Sequence, residues 1–280
     1  SNKFDIVEYL VGVEGININA QDNNSYTPLL YAVEKKQTDI AELLIKKLVE
    51  NNISLDTMGG TNGLQKTPLY EASRNGSLDI VKLLTENGAD LNKRAGNGIS
   101  PAEIAIQNNN IDIAKYLIEH GVNVNSTDNN GMSLLSQAIV KNSENSVDLV
   151  NYLIEKGAKI NRQSNDGWTP LHEAVQAGNK DIVQILLDHD AFVNAADING
   201  WTPLHEASHK GNLGIFKLLE ENGANTNAFV FNDVWRNNLK YQSGATPTSI
   251  AQNRGYSNIV NYLNGKSSRF TPNRLAVHNK

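Results

Sequence analysis

Two histidine–glutamate pairs are the residues of this sequence that could do chemistry. They are His172-Glu173 and His205-Glu206, and they lie 33 positions apart. An imidazole beside a carboxylate can act as an acid–base pair, and both residue types are zinc ligands. Each pair lies in a nearly identical segment, since residues 167–174 (GWTPLHEA) return as residues 200–207 (GWTPLHEA). Because the tryptophan and the proline return with the histidine, the repeat has to be understood before the chemistry.

Aligned on Thr-Pro-Leu-His, the chain contains seven related segments. The intervals between them are 40, 33, 33, 36, 33 and 44 residues, so the base period is 33 and three intervals carry extra residues. Insertions in a repeat array belong in loops. The segments are Thr27-Pro28-Leu29-Leu30, Thr67-Pro68-Leu69-Tyr70, Ser100-Pro101-Ala102-Glu103, Ser133-Leu134-Leu135-Ser136, Thr169 to His172, Thr202 to His205, and Thr246-Pro247-Thr248-Ser249.

One period predicts two short helices and a turn. Thr169 is a good helix N-cap, and Pro170 suits the first helical position. Gly178 is suited to end that helix, and residues 181–187 (DIVQILL) predict a second amphipathic helix with an acidic residue near its N-terminus. Residues 197–200 (DING) then predict an exposed turn or hairpin. Neither helix can bury its apolar face alone, so neighbouring repeats must stack.

These elements resemble the ankyrin repeat family over about residues 5–263. Four copies of a Gly-Ala-x-Val-Asn-like ending strengthen the resemblance, at 87–92 (NGADLN), 120–125 (HGVNVN), 156–161 (KGAKIN) and 222–227 (NGANTN). The resemblance implies an all-α solenoid of stacked helix-turn-helix units with β-hairpin fingers and a concave binding face.

The predicted organisation is one ankyrin-repeat array over residues 1–264 and a C-terminal tail over 265–280. Residues 1–20 predict a partial repeat, because Asp5 to Leu10 (DIVEYL) is a second-helix pattern with no first helix before it. We therefore expect the chain to have been cut from a longer protein. Repeats are predicted to start near 22, 62, 95, 128, 164, 197 and 241, with loop insertions near 51–63, 141–146 and 228–243.

Within the family resemblance, the histidines have a structural role. His172 and His205 lie in the first turn of a helix, where their ring nitrogens can bind the adjacent threonine and backbone. Histidines one repeat apart would be about 10 Å from each other, too far to share a zinc ion. The sequence has no glycine-rich phosphate loop, serine elbow or HExxH motif. We therefore predict no catalytic residue, no metal site and no cofactor, and a protein that is not an enzyme.

The residue before each Thr-Pro start is where the family directs a side chain toward the concave face. This position holds Tyr26 and Lys66, then the apolar residues Ile99 and Met132, and then Trp168 and Trp201, so it changes from polar to apolar along the array. Tryptophans are favoured anchors of protein interfaces; the alternative is that each packs on the neighbouring hairpin. The predicted partner-binding positions are Trp168, Trp201, Met132, Asn129, Asn130, Asn165, Asp166, Ile198 and Asn199 in the fingers, and Gln176, Ala177, His209 and Lys210 on the inner helices.

The longest insertion contains four aromatic residues, Phe229, Phe231, Trp235 and Tyr241. Two readings remain open. The aromatic residues form a small core that folds the loop onto the last repeat, or they form an exposed arm for a partner. On the second reading, Phe229, Phe231 and Trp235 join the predicted binding positions.

The family resemblance also implies a modification. Asparagines in ankyrin hairpins are substrates of an asparaginyl hydroxylase that favours a leucine eight residues earlier. Asn92 has Leu84 at that distance, and Asn194 has Leu186. Both asparagines are predicted hydroxylation sites if the protein meets an animal cytoplasm.

Composition narrows the class of partner. A formal net charge of −5 and a pI near 5.7 disfavour binding to nucleic acid. No apolar run reaches the roughly 18 residues of a membrane span, and the N-terminus lacks a signal-peptide pattern. The chain has no cysteine, which fits a reducing compartment. We predict no membrane partner and an intracellular monomer, in cytoplasm or nucleus, or in host cytoplasm for a bacterial effector.

The predicted function is a non-catalytic scaffold that binds a peptide or a folded protein on the concave face and the fingers. The alternative is the recruiting module of a larger enzyme or bacterial effector, whose catalytic part lies outside this chain.

Overall fold

The computed structural model describes residues 2–60 and 64–267. Residues 268–280 of the predicted tail and residues 61–63 of the first insertion lie outside this range. The chain divides into two compact units, residues 1–159 and residues 160–280, called unit 1 and unit 2 below.

Helices dominate both units, in agreement with the predicted all-α solenoid. Unit 1 contains α1 (Asn2–Val11), α2 (Pro28–Glu34), α3 (Thr38–Glu50), α4 (Pro68–Asn75), α5 (Leu78–Glu86), α6 (Pro101–Gln107), α7 (Ile111–Glu119), α8 (Leu134–Lys141) and α9 (Ser146–Glu155). Unit 2 contains α10 (Pro170–Ala177), α11 (Lys180–Asp188), α12 (Pro203–Lys210), α13 (Leu213–Glu221), β1 (Val234–Arg236), β2 (Leu239–Tyr241), α14 (Pro247–Asn253) and α15 (Ser257–Ser267).

Every Thr-Pro-type segment found in the sequence begins a helix. The Thr27 hydroxyl accepts a hydrogen bond from the Leu30 N–H at 3.1 Å, which satisfies one of the free donors of the first turn. Ser133, which is not followed by proline, caps α8 in the same way through the Ser136 N–H at 3.2 Å. The cap therefore suffices to start the helix where the proline is missing.

The fingers between the repeats are tight turns closed by one recurring hydrogen bond. The Asp197 N–H donates to the Trp201 carbonyl at 2.9 Å, and Asp128 and Met132 are joined in the same way at 3.0 Å. Isolated β-bridges occur at Gly59–Lys66 and Thr127–Ser133. Among the described residues, the only two-stranded sheet is β1–β2.

In unit 1, consecutive first helices pack on one another, with α2 against α4, α4 against α6 and α6 against α8. Helix α1 packs on the second helix α3, as its sequence pattern predicts. The insertion near 51–63 is held on the preceding finger over its described part. Gln21 donates to the Met58 carbonyl at 2.9 Å, and Leu55 is buried.

The three-residue insertion near 141–146 lies in the turn between α8 and α9. Asn142 ends α8 in the left-handed conformation, with φ at 45°. The Ser143 hydroxyl donates to Asn109 Oδ1 of the preceding repeat at 2.7 Å. The extra residues are therefore tied to the neighbouring repeat.

In unit 2, α12 packs between α10 and α14, and the long insertion folds onto this helix layer. Strands β1 and β2 pair antiparallel, with Val234 opposite Tyr241. Three residues of the insertion join the core with Trp201 and Ile250, namely Val230, Val234 and Tyr241. Of the four aromatic residues that the small-core reading placed in this core, only Tyr241 belongs to it.

Adjacent fingers of unit 2 approach so closely that a side chain is excluded at Gly167. Its φ is +87°, and an added Cβ would lie 2.9 Å from the Asp197 Cα and from the Ile198 backbone nitrogen. Both the conformation and the space require glycine at this position.

No helix among residues 2–60 and 64–267 combines the length and the apolar character needed to cross a lipid bilayer.

Candidate protein-binding surface

The repeated histidines of unit 2 link successive repeats. His172 Nδ1 accepts hydrogen bonds from the Thr169 N–H at 3.2 Å and the Thr169 hydroxyl at 2.9 Å, while its Nε2–H donates to the Trp201 carbonyl at 3.0 Å. His205 repeats this pattern with Thr202, and its Nε2 lies 3.3 Å from the Ala245 carbonyl. This network uses both nitrogens of the neutral ring, so neither is left for a substrate or a metal.

Burial keeps both rings neutral. His172 and His205 have no exposed surface, and desolvation of the charged form lowers the pKa of each to about 4. The prediction that these histidines are structural agrees with their geometry.

Trp201 is fully buried and Trp168 is only 8% exposed, so the expectation that these rings anchor a partner has to be corrected. Trp201 lies in the core with Val230, Val234 and Tyr241, and its Nε1–H donates to Glu206 Oε2 at 3.1 Å. The ring was predicted to face a partner, but the insertion covers it. The alternative considered from sequence, packing against a neighbouring hairpin segment, describes Trp201 correctly.

Arg236 of strand β1 lies against both tryptophans. Its guanidinium carbon is 5.5 Å from the Trp168 ring centroid and 5.1 Å from the Trp201 ring centroid, within cation–π distance. Its Nη2 donates to Asp197 Oδ2 at 2.6 Å. Sequence analysis did not identify Arg236, although an arginine beside Trp235 in an aromatic-rich insertion was a usable signal.

His209 was also predicted to contact a partner, and it too is covered by the insertion. The residue is 1% exposed. Its Nε2 lies 3.1 Å from the Asn237 amide nitrogen and its Nδ1 lies 2.7 Å from the Tyr241 hydroxyl. If the Asn237 amide donates to Nε2, Nδ1 carries the proton of the neutral ring. Desolvation lowers the pKa of His209 to about 4, and the cations Arg254, Lys210 and Arg236 act in the same direction.

The other aromatic residues of the insertion are held at the surface. Phe229, Phe231 and Trp235 are 56%, 58% and 63% exposed, and Ile198 of the adjacent finger is 65% exposed. The two phenylalanine rings meet edge to face with centroids 5.8 Å apart. The Phe231 N–H donates to the Asn199 carbonyl at 2.7 Å, which ties the insertion to the finger. We call Phe229, Phe231, Trp235 and Ile198 the aromatic patch.

The remaining predicted contact positions lie at or near the surface of their own unit. In unit 1, Asn129 and Asn130 are exposed at a finger tip and Met132 is half-buried. In unit 2, the exposed positions are Asn165, Asp166, Gln176 and Lys210, and the half-buried positions are Asn199 and Ala177.

Glu173 is a buried carboxyl group on the inner helix α10 of unit 2. It is 7% exposed, and no lysine or arginine of residues 160–267 forms an ion pair with it. Desolvation raises its pKa to about 7, and the carboxylates of Asp166 and Glu206 add to the rise. A pKa shift of this kind also occurs at catalytic acids. Here the neighbouring histidine is fully used in the backbone network described above.

The two asparagines predicted to be hydroxylated are both exposed, in different units. In unit 2, the Asn194 side chain joins its finger to the next repeat. Its Nδ2 donates to the Gly223 carbonyl at 3.0 Å, and its Oδ1 accepts from the Asn225 N–H at 2.7 Å. In unit 1, the Asn92 N–H donates to Asp90 Oδ1 at 2.9 Å. Hydroxylation of either residue stays a prediction.

The family model for ankyrin repeats (3 copies) matches residues 1–95, 92–164 and 140–230. The chain belongs to the ankyrin repeat family. Ankyrin repeats are generally protein–protein interaction modules that bind other proteins, although some ankyrin proteins are parts of larger enzymes.

Curated relatives carry similar ankyrin segments within much longer chains. The chain is 32% identical over 105 residues to alpha-latroinsectotoxin-Lt1a of Latrodectus tredecimguttatus, covering 38% of this chain and 7% of the toxin. It is 37% identical over 108 residues to SMC5-SMC6 complex localization factor protein 1 of Bos taurus, covering 38% and 10% respectively. It is 38% identical over 77 residues to the 2-5A-dependent ribonuclease of Mus musculus, covering 28% and 10%. The matched segments therefore span a tenth or less of each relative.

A solved structure supports the ankyrin fold over most of the chain. The crystal structure of the ankyrin repeat domain of Bcl-3, a member of the IkappaB protein family, superposes with a TM-score of 0.69. The superposition covers 85% of this chain and 100% of that domain at 25% sequence identity.

Proposed function

We propose that this protein is a non-catalytic scaffold that recruits another protein through its fingers and inner helices. The observation that carries this proposal is the aromatic patch of unit 2. Exposed aromatic side chains that are held in a fixed position bury a large area on binding and lose little conformational entropy. They are therefore well suited to be the anchors of an interface.

The insertion that presents the patch is held in place by several contacts. The Ser243 hydroxyl donates to the Phe231 carbonyl at 2.8 Å, and the Ser243 N–H donates to Asp233 Oδ1 at 3.0 Å. Lys240 Nζ lies 2.7 Å from Asp233 Oδ2 across the base of the hairpin. Three exposed aromatic rings displayed on such a support, which is bonded to the finger that carries the exposed Ile198, favour a protein partner over a small molecule.

Each unit also carries polar finger residues of its own. Asn165, Asp166 and Asn199 of unit 2 offer amide and carboxylate groups that suit a peptide or a folded protein surface. In unit 1, Asn129, Asn130 and Met132 offer a second polar and apolar finger tip. An acidic chain with such a surface is poorly suited to nucleic acid.

The test compares the wild-type protein with a Phe229→Ser/Phe231→Ser/Trp235→Ser variant as baits in a lysate of a plausible host, with mass spectrometry of the retained proteins. We expect at least one protein to be retained by the wild type and lost with the variant. Phe192→Ser is the matched control, because Phe192 is 66% exposed on unit 2 but is not part of the aromatic patch. A protein retained equally by all three baits would exclude the patch as the recruiting surface.

The second candidate function is the recruiting module of a larger enzyme or bacterial effector. The similarity to a short segment of the 2-5A-dependent ribonuclease favours it, because that match places a related ankyrin segment in a chain named as an enzyme. The complete reading frame around this sequence decides the question. A catalytic domain in the same frame supports this second candidate, and a frame of ankyrin repeats alone supports the scaffold.

A further inference from the structure

The two tryptophans at the finger positions of unit 2 form a site for a planar cation. Trp168 and Trp201 both face the guanidinium group of Arg236, with ring centroids 5.5 and 5.1 Å from its central carbon. Asp197 supplies the counter-charge at 2.6 Å. A guanidinium within cation–π distance of two indole rings, with a carboxylate in reach of its N–H groups, is a favourable arrangement for arginine in particular.

Asp197 is positioned for this role by the finger itself. Its Oδ1 accepts the N–H groups of Asn199 and Trp201, each at 2.8 Å, which leaves Oδ2 for the guanidinium. The carboxylate is 2% exposed as a side chain, so its second oxygen needs a cation. The finger therefore defines the site, and Arg236 reaches it from the insertion.

The fit of Arg236 is incomplete. Its Nε is buried without a hydrogen-bond partner among the described residues, which costs free energy. Of the three buried carboxyl groups Asp197, Glu206 and Glu173, one has no ion-pair partner within residues 160–267. Asp197 forms an ion pair with Arg236, and Glu206 forms one with Lys210 at 3.8 Å. Glu173 forms no ion pair with any lysine or arginine of residues 160–267. A ligand with an arginine and a second basic residue would satisfy this face more fully than the insertion does.

We propose that the site formed by Trp168, Trp201 and Asp197 binds an arginine side chain of a partner protein, and that the β1–β2 hairpin is a built-in ligand that occupies the site in the absence of the partner. The occupant we infer is an arginine-bearing peptide segment with a neighbouring basic residue. This inference rests on the proposed function as a protein-binding scaffold and specifies one recognition site of that scaffold.

The hairpin in this arrangement competes with the partner. Any incoming arginine binds only the fraction of molecules in which the hairpin is open, so the apparent dissociation constant is raised by the inverse of that fraction. Removing the Arg236 side chain should therefore increase the affinity for an arginine-bearing peptide.

The experiment uses the full chain and a fluorescent synthetic peptide that copies residues 231–243 (FNDVWRNNLKYQS), with binding measured by anisotropy. We expect the Arg236→Ala protein to bind this peptide about tenfold or more tightly than the wild-type protein does. The same peptide carrying Arg236→Gln should not bind the Arg236→Ala protein more tightly than it binds the wild type. Arg254→Ala is the matched control protein, because Arg254 lies 5.4 Å from the Tyr256 ring and its removal takes away the same charge. Arg254→Ala should bind like the wild type.

Equal binding of the peptide to wild type and folded Arg236→Ala, or equal binding of the arginine and glutamine peptides, would overturn the proposal. A second measurement on the wild type does not depend on the variant folding. Amide hydrogen exchange should show the β1–β2 amides opening locally while the amides of α12 stay protected. Exchange of both segments only by global unfolding would also overturn it.

These outcomes are separate from the test of the scaffold function. A partner captured through the aromatic patch supports the scaffold even if the peptide result is negative. Peptide binding that depends on Arg236 supports the arginine site even if the patch variant retains the same proteins.

Discussion

In both units a buried glutamate lies four residues after the threonine that caps the first helix of a repeat. The two units stabilise this glutamate differently. In unit 1, Glu71 is fully buried and forms ion pairs with Lys66 at 2.9 Å and with Arg74 at 2.5 Å. In unit 2, the finger residue that corresponds to Lys66 is Trp201, whose indole N–H donates to Glu206 at 3.1 Å. Glu173 follows Trp168 in the same register and has no cation partner within residues 160–267.

This difference shows that one repeated backbone supports two kinds of finger face. A lysine at the finger position neutralises the buried carboxylate within its own repeat. A tryptophan at that position contributes an aromatic face instead of a cation. Glu206 accepts the Trp201 indole N–H and pairs with Lys210 at 3.8 Å, while burial raises the pKa of Glu173 to about 7. Unit 2 therefore combines aromatic finger residues with buried carboxyl groups that lack a finger cation, whereas unit 1 neutralises Glu71 with Lys66 and Arg74.

The largest expected effect comes from removing the finger tryptophan. Trp201→Ala deletes a fully buried side chain and the donor to Glu206, so we expect the free energy of unfolding to fall by about 4 kcal/mol. Urea denaturation followed by circular dichroism measures the change. Trp235→Ala is the control, and because Trp235 is 63% exposed its effect should stay within about 0.5 kcal/mol. Equal effects of the two variants would contradict the assignment of Trp201 to the core.

The second prediction is that replacing the buried glutamate changes the free energy of unfolding in opposite directions in the two units. The pKa of Glu173 is about 7 in the folded protein against 4.5 for an unperturbed glutamate, so the folded state holds a proton between these pH values that the unfolded state has lost. Its contribution to stability is therefore fully present below pH 4.5 and is lost as the pH rises through 7. We expect Glu173→Gln to be more stable than the wild type at pH 8, by up to about 3 kcal/mol.

The advantage of Glu173→Gln should disappear near pH 4.5, and urea denaturation at pH 4.5, 6 and 8 measures it. Glu71→Gln in unit 1 is the comparison variant. It breaks two ion pairs of a buried carboxylate, so it should destabilise the protein at pH 8. If both variants change the free energy of unfolding in the same direction at pH 8, the two glutamates have the same electrostatic environment and the comparison fails.

A smaller effect is expected from replacing the finger lysine of unit 1. Lys66→Met keeps the length of the side chain and removes its charge, while Glu71 retains Arg74. We expect a loss of about 2 kcal/mol in the free energy of unfolding, because a buried charged group loses one of its partners. Lys35→Met, at a lysine whose side chain is 63% exposed, is the control and should have almost no effect. A melting temperature unchanged by Lys66→Met would refute the claim that unit 1 depends on this cation.

The smallest effect concerns Arg94, which binds the capping glutamate Glu103 through two nitrogens at 2.9 and 3.0 Å and also the Thr127 carbonyl at 2.8 Å. Lysine keeps the charge but cannot make these contacts at once. Arg94→Lys should therefore cost about 1 kcal/mol. Differential scanning calorimetry against Arg162→Lys, an exposed arginine in unit 2, would detect it. If Arg94→Lys costs as much stability as Lys66→Met, the expected order of these two unit 1 contacts is wrong.

Much of the fold was predictable because its signals are local. A threonine or serine cap starts a helix wherever its hydroxyl can reach the N–H three residues later, and this depends only on neighbouring residues, as at Thr27 and Ser133. The structural role of His172 was likewise predictable, because its threonine partner lies three residues away in the same turn.

The candidate site was less predictable because its contacts join residues far apart in the chain. The exposure of Phe229, Phe231 and Trp235 depends on which face of the insertion packs against the repeat. Arg236 reaches Asp197 across 39 residues, and Tyr241 reaches His209 across 32. No short-range pattern contains either contact, so Trp201 and His209 were predicted at the surface and are in fact covered.

The sequence by itself determined the period, the helix starts and the positions where loops are inserted, because caps, prolines and apolar spacing act within a few residues. Only the tertiary structure decided which aromatic residues are buried and where the charges pair. Burial and ion pairing depend on distances between repeats, and an insertion that folds back onto the array changes both without changing the repeat itself.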